Sequence, residues 1–138
     1  MQLGCGKVCM RAIILAGGEG TRLRPLTTSL PKQLVPVLNR PFIEYQLRYL
    51  LRHDVTEVTL ALTRNAHSER LRAALGDRAH GIDIRYAYEE QPLGSGGAIA
   101  GAAAGWTEPF LVCNGDIVTD VDMSALIEAH RAARAELT

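Results

Sequence analysis

Residues 11–37 read RAIILAGGEGTRLRPLTTSLPKQLVPV, and the loop that leaves their first apolar run organises the chain. Residues 11–16, RAIILA, are a short aliphatic and β-branched run, the pattern of a strand buried on both faces. The run enters Gly17-Gly18-Glu19-Gly20-Thr21-Arg22-Leu23 directly. Three glycines in four positions let the backbone turn tightly and approach a ligand that any Cβ would block. In an α/β sheet such a loop lies at a strand's carboxyl end, where phosphate-bearing ligands bind. Arg22, Arg24 and Lys32 place three positive charges within eleven residues of a chain whose 15 basic and 15 acidic residues cancel. The local excess points to an anionic ligand.

Two familiar phosphate loops do not fit. A P-loop needs GxxxxGK[ST], and no glycine here precedes a Lys-Ser or Lys-Thr pair. A dinucleotide fingerprint needs GxGxxG, but Gly18-Glu19-Gly20-Thr21-Arg22-Leu23 has Leu23 where the third glycine should stand. No acidic residue follows near 62–65 to hold a ribose.

The chain of 138 residues is expected to form one domain that buries roughly two thirds of its unfolded surface. With 47% hydrophobic and 22% charged residues it has the balance of an ordinary globular protein. Its neutral total and 5% aromatic content argue against nucleic acid or a membrane as partner. Cys113 lies in an apolar run and reads as a small buried hydrophobe. Cys5 and Cys9 have no further cysteine or histidine nearby to complete a metal site. This cysteine usage fits a reducing cytoplasm. Residues 1–9 lack the apolar core of a signal peptide and read as a loose extension before a domain over 10–138.

Taken in order, Pro25, Pro31, Pro36 and Pro41 keep residues 24–41 extended or turning. A helix is expected over 41–53, with Ile43, Leu47, Leu50 and Leu51 as its apolar stripe. A strand over 55–62 follows, then a short helix over 67–75 stopped by Gly76. Residues 82–88 alternate and give a third strand with one more polar face. Residues 94–105, rich in Gly and Ala, read as a small-residue helix packed closely on a sheet. A fourth strand over 110–113 precedes a helix over 122–136, whose stripe is Leu126, Ile127 and His130, with Ala133 and Leu137 below. Strands alternating with helices predict an α/β, doubly wound, Rossmann-like fold: a mostly parallel sheet with helices on both faces. The pattern stops after the fourth strand and its helix, where another strand is expected, and so reads as truncated.

Asn114-Gly115-Asp116 follows the fourth strand directly. A carboxylate there can reach the crevice at the strand ends and hold Mg²⁺, which prefers a carboxylate plus phosphate oxygens and water. The same residues can equally form an Asx turn that closes the strand. Asp120 and Asp122 read as turn and helix-start residues. His53, His67, His80 and His130 are scattered, without partners at catalytic spacing.

GGxGTRLxPLT followed by PKxLxPV, over roughly twenty positions of residues 17–37, resembles the signature of the sugar-1-phosphate nucleotidyltransferases. EEQPLGSGG at 89–97 is similar to that family's E-x-x-P-L-G-T-A-G segment, with Ser95-Gly96 in place of Thr-Ala. The resemblance covers almost all of 10–137. It implies transfer of a nucleotidyl group from an NTP to a sugar 1-phosphate, with release of pyrophosphate. It also implies that backbone amides from Leu15 through Ala16, Gly17, Gly18 and Gly20 to Thr21 cradle the nucleotide. Arg22 and Lys32 would be the catalytic cations, Arg22 on the triphosphate and Lys32 between the α-phosphate and the sugar phosphate. Glu89 or Gln91 would read the base edge, Gly94 would let the backbone approach it, and Asp116 would hold Mg²⁺.

LNRPFIEYQL, EEQPLGSGGAI and FLVCNGDIVTDVDMSALIEAH look most like the mannose-1-phosphate guanylyltransferase branch, making GTP the expected nucleotide. Glucose-1-phosphate thymidylyltransferase, with dTTP, is the alternative, and a catalytically silent nucleotide-sensing module is a different class. Family members are longer, and their later half supplies the sugar pocket and a second metal-binding aspartate. An open sheet edge would invite pairing into a homo-oligomer.

Overall fold

The computed structural model describes residues 10–138. Its centre is β1 (Met10–Leu15), the run that precedes the glycine loop. β4 (Val55–Thr63) and β7 (Phe110–Asn114) pair with β1 on either side, both parallel to it. β6 (Ile82–Glu89) continues the parallel sheet beyond β4, and the two-residue β5 (Arg78–Ala79) ends it antiparallel. The order is therefore β5-β6-β4-β1-β7. From β1 the chain moves outward to β4 and β6, then returns past β1 to β7. The chain leaves β1 toward β4 on one side and comes back to enter β7 on the other, the reversal of strand order that opens a crevice at the carboxyl ends of β1 and β7. A separate hairpin joins β2 (Pro36–Val37) to β3 (Arg40–Pro41).

The sheet is covered on both faces. Ala12, Ile14 and Ala16 turn to one face and join Ile43, Leu47 and Leu50 of α1 (Phe42–Arg52) in a buried cluster. Leu71 of α2 (Ala66–Leu75) and Val58, Leu60 and Leu62 of β4 complete it. Ile13 is equally buried but, by strand alternation, faces the other way. α3 (Gly94–Ala102), which contributes nothing to that cluster, contacts β1, β4 and β6 on this second side. The close packing expected of its glycines is not what holds it there: a Cβ on Gly94, Gly96 or Gly101 would meet nothing within 4 Å, and one on Gly97 would meet only Leu93. α4 (Met123–Ala133) adds Ile127 beside the α1 cluster.

The differences from the sequence reading have local causes. Leu51 is 37% exposed, because it stands at the flank of the stripe set by Ile43, Leu47 and Leu50. α4 ends at Ala133, since Arg134 takes a left-handed backbone with φ 49°, and this leaves Leu137 89% exposed beyond the helix. α2 begins one residue early, on an Asn65 cap that accepts from the amides of His67 and Ser68 at 2.9 and 3.0 Å. Asp122 is the start residue expected of it, accepting from the amide of Ala125 at 3.1 Å. Cys113 is partly buried rather than fully buried, and burial pushes its thiol pKa up. The reading of residues 1–9, with Cys5 and Cys9, lies outside the described residues. No helix among the described residues is long and apolar enough to cross a membrane.

Candidate functional site

The glycine loop begins where β1 runs out of strand partners. Leu15 O accepts from the amide of Gly115 at 2.8 Å, and the amide of Ala16 donates to Ala61 O at 2.9 Å. These two bonds tie the loop's first residues to the ends of both neighbouring strands. Gln33 Nε2, fully buried, donates to Ala16 O at 3.1 Å and satisfies the next carbonyl. Gly17 follows beside Thr63 at the end of β4. Gly20 has φ 66°, a conformation that costs a side-chain-bearing residue about 1–2 kcal/mol. Thr27, also buried, donates its hydroxyl to Gly20 O at 2.7 Å. The loop is thus held from below while Gly18 and Glu19 stay exposed above.

Lys32 opens the short helical turn Lys32–Leu34, behind the buried Pro31. Its Nζ lies 2.8 Å from Asp116 Oδ2 and 3.4 Å from where a Cβ on Gly18 would stand. The ammonium therefore sits between the open part of the glycine loop and the Asn114-Gly115-Asp116 turn. Lys32 is 15% exposed at its side chain and Asp116 53%. The hydrogen bond from Lys32 holds the Asp116 carboxyl below the usual carboxylate range; partial burial opposes this, and the charges of Lys32 and Arg22 reinforce it. Arg22, in the turn Thr21–Leu23, is exposed and reaches Asp116 through its field rather than by contact.

Gly115 is required for the turn's approach. A Cβ there would lie 2.5 Å from Leu15 O and 3.3 Å from Ala16 Cα, so only glycine can stand at this point. The turn is also held by α1: Gln46 Nε2 donates to Asn114 O at 2.7 Å and Ile117 O at 2.8 Å.

Leu15, Ala16, Gly17, Gly18, Gly20, Lys32 and Asp116 are thus brought together at the switch point between β1 and β7. Thr21 and Arg22 lie on the exposed turn that follows. Glu89 is not part of this group: it ends β6, in register with Thr63, with β4 between it and β1. Its carboxylate oxygen Oε1 is buried without a hydrogen-bond partner. Gly94 starts α3 with φ 74° and open space around it. Among the described residues no three His, Cys, Asp or Glu side chains form a metal cluster.

Gln33, Thr27 and Gln46 escaped the sequence reading. Gln33 and Thr27 lie inside the quoted 11–37 stretch, but as polar residues in a proline-rich segment they carry no periodic signal. Gln46 sits beside Leu47 at the edge of an apolar stripe, the one hint that it is buried.

The family model described as nucleotidyl transferase matches residues 11–138. The D-glycero-alpha-D-manno-heptose 1-phosphate guanylyltransferase of Aneurinibacillus thermoaerophilus is 42% identical over 130 residues, covering 94% of this chain and 56% of that protein. The mannose-1-phosphate guanylyltransferase of Mycobacterium tuberculosis is 38% identical over 129 residues, 92% of this chain and 35% of that one. Among solved structures, HddC from Yersinia pseudotuberculosis complexed with GMP-PN superposes with a TM-score of 0.72 at 32% identity, covering 88% of this chain and 54% of that one. The chain therefore spans about half or less of the length of these relatives. With a family match over nearly its whole length, this chain belongs to the nucleotidyl transferase family.

Proposed function

We propose that residues 10–138 are the nucleotide-binding part of an enzyme that transfers a guanylyl group from GTP to a sugar 1-phosphate of the mannose type. The observation that carries this reading is the meeting of the glycine loop, Lys32 and Asp116 at the switch point. The names of the two guanylyltransferase relatives support the choice of GTP over dTTP.

In the reaction an oxygen of the sugar phosphate attacks the α-phosphorus. A new P–O bond forms, the bond from that phosphorus to the bridging oxygen breaks, and pyrophosphate leaves with the electron pair. The nucleophile is already anionic, so the site has to align it and neutralise charge rather than remove a proton. Backbone amides between Leu15 and Thr21 hold the nucleotide. Arg22, exposed on its turn, neutralises the departing pyrophosphate. Lys32 exchanges its bond to Asp116 for the α-phosphate and the incoming sugar phosphate, which frees the carboxylate.

That carboxylate fits Mg²⁺: it is half exposed, unionised only at low pH, and has one oxygen, Oδ1, not engaged by Lys32. One protein carboxylate is an ordinary complement for an ion that takes its other ligands from phosphates and water. When bound, Mg²⁺ would supply charge neutralisation on the phosphates. On the resemblance of 89–97 to the family segment we assign Glu89 or Gln91 to the guanine edge, with the open space around Gly94 giving the base room. We place the protein in the cytoplasm, and we read the outer edge of β7, which has no strand partner among the described residues, as a place where copies could pair.

The test is calorimetric titration of the chain with GTP, dTTP, UTP and ATP, with and without Mg²⁺, repeated on Lys32→Ala. The expected result is GTP-selective binding, strengthened by Mg²⁺ and weakened at least about tenfold by Lys32→Ala. A folded chain that binds none of the four, or binds NAD without needing a triphosphate, would refute the reading. Tight GTP binding with no transfer by a chain extended to the relatives' length would identify a sensing module instead.

A further inference from the structure

We propose that Gln46 is a positioning residue, whose side-chain amide fixes the turn that carries Asp116; this rests on the nucleotidyl-transfer reading above. Gln46 is 7% exposed and lies within α1, between apolar residues that belong to the core. A primary amide has two N–H donors. Here both are used on one short segment: Asn114 O at 2.7 Å and Ile117 O at 2.8 Å, the two carbonyls that bracket Gly115 and Asp116. Because both partners are carbonyl oxygens, the amide cannot be flipped without setting oxygen against oxygen.

The remaining atom, Oε1, is buried with no partner. A group that only filled space here would be better as a methionine, which has similar volume and no unsatisfied acceptor. The two bonds span 68 and 71 residues of sequence and form the side-chain link from α1 to the turn. Together with the Gly115–Leu15 bond they hold Asp116 from two sides, α1 on one and the end of β1 on the other. Gln46 touches no reacting atom in this arrangement. Its action is through Asp116 alone.

This makes Gln46→Met the informative change, since it keeps the packing and removes both donors. Amide hydrogen exchange in 115–117 should accelerate at least about tenfold, while amides in β1 and β4 keep their protection. The Mg²⁺-dependent part of GTP binding should fall about 10- to 100-fold, the usual effect of losing a group that orients a metal-binding carboxylate. GTP binding without Mg²⁺ should be unchanged. In an Asp116→Asn background Gln46→Met should have no further effect, because the two residues act as one unit.

Should Gln46→Met not fold, the wild type still decides: its Gln46 side-chain amide protons should exchange slowly and shift when GTP and Mg²⁺ are added together. Unchanged exchange in the turn, additive losses in the double variant, or rapidly exchanging Gln46 amide protons would each overturn the proposal. The two readings fail separately. A wild type that binds no nucleotide refutes the functional reading, whereas intact Mg²⁺-dependent binding by Gln46→Met refutes the role given to Gln46.

Discussion

Gly115→Ala is the smallest change that should separate the site from the fold. Its added Cβ would stand 2.5 Å from Leu15 O, where ordinary contact begins at 3.4 Å, so the turn must retreat by about 1 Å. The atoms it meets are backbone at the end of the central strand and cannot rotate aside. Retreat breaks the 2.8 Å bond from the Gly115 amide to Leu15 O, at a cost of about 0.5–1.5 kcal/mol. Alanine recovers roughly 0.4–1 kcal/mol by restricting the unfolded chain. The net loss is about 1 kcal/mol or less, a fall in Tm of roughly 2–6 °C for a chain of this size.

The site should suffer more. Lys32 Nζ and Asp116 Oδ2 are 2.8 Å apart, so a shift of about 1 Å takes them out of hydrogen-bond range. Displacement on that scale should weaken Mg²⁺-dependent GTP binding about 10- to 100-fold, the usual effect of misplacing a metal-binding carboxylate. Scanning calorimetry would report the first effect, and titration with GTP and Mg²⁺ the second. GTP affinity within about threefold of wild type in the presence of Mg²⁺ would refute the link between turn position and binding. A fall in Tm beyond about 15 °C would show instead that Gly115 serves the whole fold.

Two further outcomes follow from the same structure. Asp116 has a carboxyl pKa held below its unfolded value by Lys32, so the stability it contributes is present above about pH 3.9 and lost as pH falls through the folded value. Denaturation of wild type and Asp116→Asn from neutral to acid pH should show a small difference, screened by solvent, that closes on acidification; a difference that grew in acid would contradict the ion pair. Leu47→Ala removes a fully buried side chain from the α1 cluster and should cost about 2–5 kcal/mol in urea denaturation, with a loss below about 1 kcal/mol refuting its place in the core.

The parts of this molecule that were legible in its sequence are those written in short-range patterns. RAIILA and VTEVTLAL announce buried strands by run and alternation, and α1 shows its stripe through Ile43, Leu47 and Leu50. The glycine loop and Lys32 were legible through the resemblance of 17–37 to a known signature. What could not be read is what depends on distant partners. Gln33 meets Ala16 across 17 residues and Gln46 meets Asn114 across 68, and no local period encodes either. The two-residue strands of the β2–β3 hairpin and β5 are too short for alternation to register. Leu137 shows the opposite failure: a stripe continued on paper past Arg134, whose left-handed backbone had already ended the helix.

The position of β1 between β4 and β7 also has a kinetic consequence. β1 meets β4 after about 45 intervening residues but meets β7 only after nearly a hundred, as in the pairing of Arg11 with Phe110. Closing the longer loop carries the larger entropy cost, and contacts of high sequence separation form late. Lys32 and Asp116, 84 residues apart, cannot face each other until β7 has docked. With β7 undocked from β1, the Lys32–Asp116 contact and the Gly115–Leu15 bond would both be missing. Whatever the order of assembly, a ligand that binds only when the loop and the Asp116 turn face each other would stabilise the β1–β7 pairing by mass action.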